Sequence, residues 1–179
     1  MNIIIGEIDL INRDIPEYNI SKELKECESL YDQLHFIYED ALDNYNNTNY
    51  KESTIEYINY LEEKIINCEN DLYQLRKNEF TIVEDYLYEL AYLKNDITLK
   101  INLIEINSNE LINYVKYVGY KKEDLISAIY HQNINNDNID ILKIKLSQVS
   151  DNISVYKAYI DTLYDFLDSF ENLHDLNII

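Results

Sequence analysis

Between Ile139 and Phe170 ten large side chains recur at alternating steps of three and four: Ile139, Leu142, Leu146, Val149, Ile153, Tyr156, Ile160, Leu163, Leu167 and Phe170. An α-helix returns to the same face every ~3.6 residues, so this spacing draws one apolar stripe along roughly 46 Å of helix. A stripe of that length has to be covered by other long helices. The chain supplies them. Leu24, Cys27, Tyr31, Leu34, Tyr38, Ala41 and Tyr45 make a first set, followed by the polar run 44–49, which reads as a loop. Ile58, Leu61, Ile65, Cys68, Leu72 and Leu75 make a second set, behind a capping-box pattern at Ser53 to Glu56. Phe80, Val83, Leu87, Leu90, Ile97, Ile101 and Ile104 make a third.

The second and third sets are out of phase by one residue. The sequence allows two readings of that break. One is a tight hairpin near Asn78, with a second capping box at Thr81 and Glu84; the other is a skip inside a single helix over 52–106. The capping box favours the hairpin. Further on, 107–133 reads as an insert of two short helices broken at Gly119, and 133–138 (NINNDN) as a polar loop. With 2 Gly and 1 Pro in 179 residues, the turn signals of a β-rich fold are missing. The expected fold is all-α: an antiparallel bundle of about four long helices in one domain over 21–179, preceded by an extended or strand-like arm over 1–20.

Charge narrows the partners. There are 34 Asp and Glu against 15 Lys and Arg, a formal charge of −19. Direct contact with nucleic acid or an anionic membrane is disfavoured by that excess. The 28 Ile, 23 Asn and 18 Tyr follow AT-rich codons and point to a phage, a large DNA virus or a low-GC bacterium as the source. The same codon drift favours lysine, yet only 13 are present, so the acidity runs against it.

Chemistry is sparse. Cys27 and Cys68 fall on apolar helix positions and read as core thiols in a reducing compartment. Asp32 and His35, and Glu171 and His174, have the carboxylate-x-x-His spacing of di-iron bundles. Such a site also needs inward carboxylates from the other helices, whereas Glu62, Glu63, Glu84 and Glu89 all lie off the apolar seams. The lysines around Gly119, Lys116, Lys121 and Lys122, are followed at once by Glu123 and Asp124, a poor start for a DNA-reading helix. No catalytic residue, cofactor or metal is expected. The N-terminus has no basic start and carries Glu7 and Asp9, which argues against a secretion signal. A cytoplasmic protein, in a host cell if the source is viral, is expected.

What remains is the placement of the acids. At 100° per residue, Asp161, Asp165, Asp168, Glu171 and Asp175 share an arc of about 120° with Tyr164. Four neighbouring like-charge pairs along that arc each cost roughly 0.2–0.5 kcal/mol, and acids near a helix C-terminus oppose its dipole. The spacing is about one charge per 4–5 Å, against one per ~3.4 Å on a DNA strand. Glu28, Asp32, Glu39 and Asp43 form a second stripe on the first helix. These ten residues are the candidate partner-binding positions.

Two functions fit. One is a non-enzymatic inhibitor whose acids imitate nucleic acid and occupy the basic surface of a DNA- or RNA-handling enzyme. Its analogy to acidic anti-restriction and anti-CRISPR proteins is one of charge and source, with no shared motif. The other is a coiled-coil or bundle component of a virion or other assembly, with a homodimer formed through heptad seams.

Overall fold

The computed structural model describes residues 10–47, 52–118 and 122–176. They form three long helices, α1 (Lys22–Asn47), α2 (Glu52–Val118) and α3 (Lys122–Leu176), with one helical turn at 10–12. No strand occurs among the described residues. The all-α fold therefore follows the sequence pattern. Of the extended or strand-like arm expected over 1–20, the described part is that helical turn followed by irregular chain, and residues 1–9 lie outside the described residues. Neighbouring helices run antiparallel: Tyr38 of α1 reaches Glu62 while Glu28 reaches Arg76; α2 and α3 are opposed where Tyr73 meets Phe170 and Arg76 meets Phe166, and separately where Tyr86 meets Tyr156 and Glu105 meets Lys143.

The phase break is no hairpin, because α2 runs through it without interruption. Its buried positions are Leu72, Glu79, Val83, Tyr86 and Leu90, with Leu75 half-buried, so the seam steps 3, 4, 4, 3 and 4 across 72–90. An extra step of four is a stutter, which shifts the phase of a seam and leaves the helix intact. Glu79 occupies the position where the apolar pattern lapses. Phe80 and Leu87, expected in the seam, are consequently only half-buried, and Tyr86 and Leu93 take their places. The Thr81 hydroxyl, expected to cap a new helix, bonds back to the carbonyl of Lys77 within α2.

Two further loops of the sequence reading are helical. Residues 44–47 complete α1, and 133–138 lie inside α3. Likewise 107–118 continue α2 and 122–133 begin α3, so the expected insert is the end of one long helix and the start of the next. The expected break at Gly119 and the remaining loop positions Thr48 and Asn49 lie outside the described residues.

The chain divides into two compact units, one of Met1–Glu17 with Asp85–Ala158 and one of Tyr18–Glu84 with Tyr159–Ile179. In the first, Val83's successors Leu90, Leu93, Ile97, Ile101 and Ile104 on α2 and Ile139, Leu142 and Val149 on α3 are buried. The N-terminal segment is tied to both helices of this unit. Lys145 on α3 donates to the carbonyls of Leu10 at 2.9 Å, Ile11 at 3.2 Å and Arg13, which satisfies the free carbonyl end of the 10–12 turn. Tyr86 on α2 donates to the carbonyl of Pro16.

The second unit packs α1 against residues 52–84 of α2 and the last turns of α3. Ser21 caps α1 by accepting from the Leu24 amide at 3.2 Å while its own hydroxyl donates to Glu23 at 3.0 Å. Leu24, Ala41, Ile58, Leu61, Ile65, Cys68, Leu72 and Leu163 are buried here. Cys27 and Cys68 meet across α1 and α2 with their sulfurs 3.8 Å apart, both as free thiols.

Candidate functional site

The two acidic stripes both belong to the second unit. On α3, Asp161, Tyr164, Asp165, Asp168 and Glu171 are all exposed; the side chain of Asp175 lies outside the described residues. Among the described residues no ion pair involves Asp161, Asp165 or Asp168. Asp168 accepts from the Asn172 amide at 3.1 Å, and Glu171 accepts from the Tyr73 hydroxyl at 2.6 Å. Glu171 is thus partly committed within the unit. On α1, Asp32, Glu39 and Asp43 are exposed, whereas Glu28 is half-buried and paired with Arg76 at 2.9 Å.

The stripes do not merge. Glu28 and Asp32 line a cleft of about 600 Å³ between α1, α2 and α3, to which α3 contributes Phe166, Ser169, Phe170 and Leu173. At 100° per residue, that cleft-facing set is centred about 120° round α3 from Asp161, Asp165 and Asp168. One stripe therefore borders the cleft and the other faces away from it.

The cleft has an internal logic that begins with Arg76, one of only two arginines in the chain. Its guanidinium donates from Nε (3.3 Å) and Nη2 (2.9 Å) to a single carboxylate oxygen of Glu28. The same guanidinium lies 3.9 Å from the ring centroid of Phe166. Phe166 and Phe170 are neighbours at 6.2 Å, and Tyr73 stacks on Phe170 at 4.6 Å. On the opposite wall Tyr31 donates to Glu69 at 3.0 Å. Burial, then that bond to a carboxylate, pushes the Tyr31 phenol up to about 12, so it stays a neutral donor. One turn along α1, His35 packs edge-on against Tyr31 at 4.5 Å, and its Nε2 is buried without a hydrogen-bond partner.

Among the described residues, neither carboxylate-x-x-His spacing gathers a metal set. Asp32 is exposed while His35 turns to Tyr31, Glu171 is engaged by Tyr73, and the side chain of His174 lies outside the described residues. Among the described residues no group of three or more His, Cys, Asp or Glu could hold a metal ion. The side chains of Lys116, Lys121 and Lys122 also lie outside the described residues.

Three chemically informative residues were missed by the sequence reading. Arg76 could have been found from its rarity. Glu79, 2% exposed, continues the 72–75–79 seam and accepts from the Tyr18 hydroxyl. Lys145 is 9% exposed beside the Leu142 and Leu146 positions. For Glu79 the signal was a charged residue standing where the seam asks for an apolar one, whereas Lys145 stands one residue before the heptad position of Leu146. No family model, curated protein or solved structure matches this chain. Among the described residues, no helix is long and apolar enough to cross a membrane.

Proposed function

We propose that the protein is an acidic, non-enzymatic binding module of the cytoplasm that occupies the basic, nucleic-acid-binding surface of a partner protein. The observation that supports this reading is the division of charge. The second unit holds 20 Asp and Glu against 6 Lys and Arg, and the first unit 14 against 9. The excess is therefore concentrated on one compact unit, where Asp161, Asp165 and Asp168 stand exposed and outside any described ion pair. Because the α1 and α3 stripes face different ways, the reading rests on the α3 stripe. Such a rod of charge suits a groove built for one phosphate strand.

The test is capture of a partner from cells of the source, followed by competition with DNA and RNA. Nucleic acid displaces the partner if the reading holds. A partner that stays bound under competing nucleic acid sinks it.

A second reading, a helical component that assembles with copies of itself, is favoured by a different observation. In the first unit Tyr88, Tyr92, Leu99, Leu103 and Ile106 are 46–69% exposed. They form one stripe on the side of α2 opposite its buried seam. At on the order of 100 Å² each, two copies paired through this stripe would bury about 1,000 Å², the lower edge of a specific interface. This unit carries only a small share of the charge, so a like-charged copy is tolerated there. Sedimentation decides: a dimer that Leu99→Glu with Leu103→Glu dissociates supports assembly, and a monomer at high concentration excludes it.

A further inference from the structure

We infer that the cleft of the second unit is a binding site for a basic side chain, arginine or lysine, carried by a peptide segment of the partner. The inference deepens the proposal of a basic partner and rests on it for the source of the cation.

At about 600 Å³ the cleft is within the range of ligand-binding pockets and accommodates a long basic side chain with part of its backbone. Its charge selects the sign of the occupant. Glu28, Asp32 and Glu69 stand against Arg76 alone, which leaves the lining two charges negative and repels an anion. The carboxylates are not equally committed: Glu28 is held by Arg76 and Glu69 receives the Tyr31 hydroxyl, while Asp32 is exposed and has no ion pair among the described residues. Asp32 is the free counter-charge at the mouth.

The wall selects the occupant's shape. Leu72, Phe166, Phe170 and Leu173 offer an apolar and aromatic surface for a methylene stem. The cleft also contains one example of the chemistry it would repeat, for Arg76 already lies 3.9 Å over the Phe166 ring while bonded to a carboxylate. A second guanidinium or ammonium meets the same two elements, an aromatic ring and an acid, in a partly desolvated place where cation–π contact is strongest.

The test uses the full chain and needs no cellular partner. The protein is titrated with acetyl-Arg-Arg-amide, acetyl-Gln-Gln-amide and spermidine while the resonances of Tyr31, Phe166 and Phe170 are followed by NMR. The arginine peptide is expected to saturate and to shift those three residues, and the glutamine peptide to shift none. Asp32→Asn, at an exposed position whose helicity is checked by circular dichroism, weakens the arginine peptide about fivefold. Asp161→Asn with Asp165→Asn and Asp168→Asn, exposed side chains outside the cleft lining, changes it by less than Asp32→Asn does when both are measured at about 150 mM salt. Unsaturable shifts spread over the acidic residues, or unchanged affinity in Asp32→Asn, overturn the site. Spermidine binding more tightly than the arginine peptide, with the same shifts, overturns the peptide as its source. Failure here leaves the α3 stripe proposal standing, and failure of partner capture leaves this titration standing.

Discussion

Glu79 shows what a single charged residue does inside a helical seam. Only 2% exposed, it accepts from Tyr18 and lies against Tyr159, whose phenol is pushed up to about 12 by burial first and the Glu79 carboxylate next. Glu79→Ala removes the acceptor from half-buried tyrosine hydroxyls and is expected to cost about 1–3 kcal/mol, measured by chemical denaturation. The buried thiol of Cys68 is raised from 9.0 to about 11, by burial and then by its contact with Cys27. These groups have higher pKa values folded than unfolded, so their stabilising contribution is whole below about pH 9 and is lost as pH rises through their folded values. Thermal stability should therefore be level from about pH 7 to 8 and fall between about pH 9 and 12, with Tyr31 and Tyr159 among the last tyrosines to ionise in an absorbance titration. Alkylation of Cys68, 4% exposed, should wait for unfolding. Residues of this kind were poorly legible in the sequence, because a buried Glu or Lys is recognised by partners that come from distant positions, Tyr18 for Glu79 and Leu10 to Arg13 for Lys145. Apolar positions such as Leu24, Leu142 and Leu163 needed only their spacing.

The helices carry a different lesson, since α2 is one element of 67 residues where the pattern also allowed two. A stutter and a hairpin produce the same one-residue shift in apolar phase; what separates them is whether the residues in between have helical partners, and periodicity holds no record of that. The polar runs at 44–47 and 133–138 are helical for a related reason, that asparagine has a modest helix penalty which a long packed helix overrides. Leu90→Ala and Leu163→Ala, at 0% and 4% exposure, should each cost on the order of 2–5 kcal/mol, and the half-buried Leu146→Ala less, by denaturation monitored by circular dichroism. The N-terminal segment gives a separate test. Lys145→Met keeps the stem and removes the three carbonyl contacts, so limited proteolysis at 10–17 should speed up while the helices keep their stability.

At the scale of the molecule the central feature is a −19 chain whose excess charge falls mostly on one unit. The stripe on α3 was legible from the sequence, as was its exposure, but its direction relative to the α1 stripe was not, because facing depends on how α1 and α3 meet Arg76 and Phe166. Self-repulsion of that charge should make the folded protein more stable as salt rises, by thermal melting at low and moderate ionic strength. The opposite trend should hold for binding. The most direct measurement is the affinity of the captured partner for wild type and for Asp161→Asn with Asp165→Asn and Asp168→Asn, from about 50 to 200 mM salt. The account predicts that wild-type affinity falls steeply over that range, and that the neutralised protein stays folded, binds weakly and has lost most of the salt dependence. Equal affinity for the two proteins, with the same shallow salt response, would contradict it.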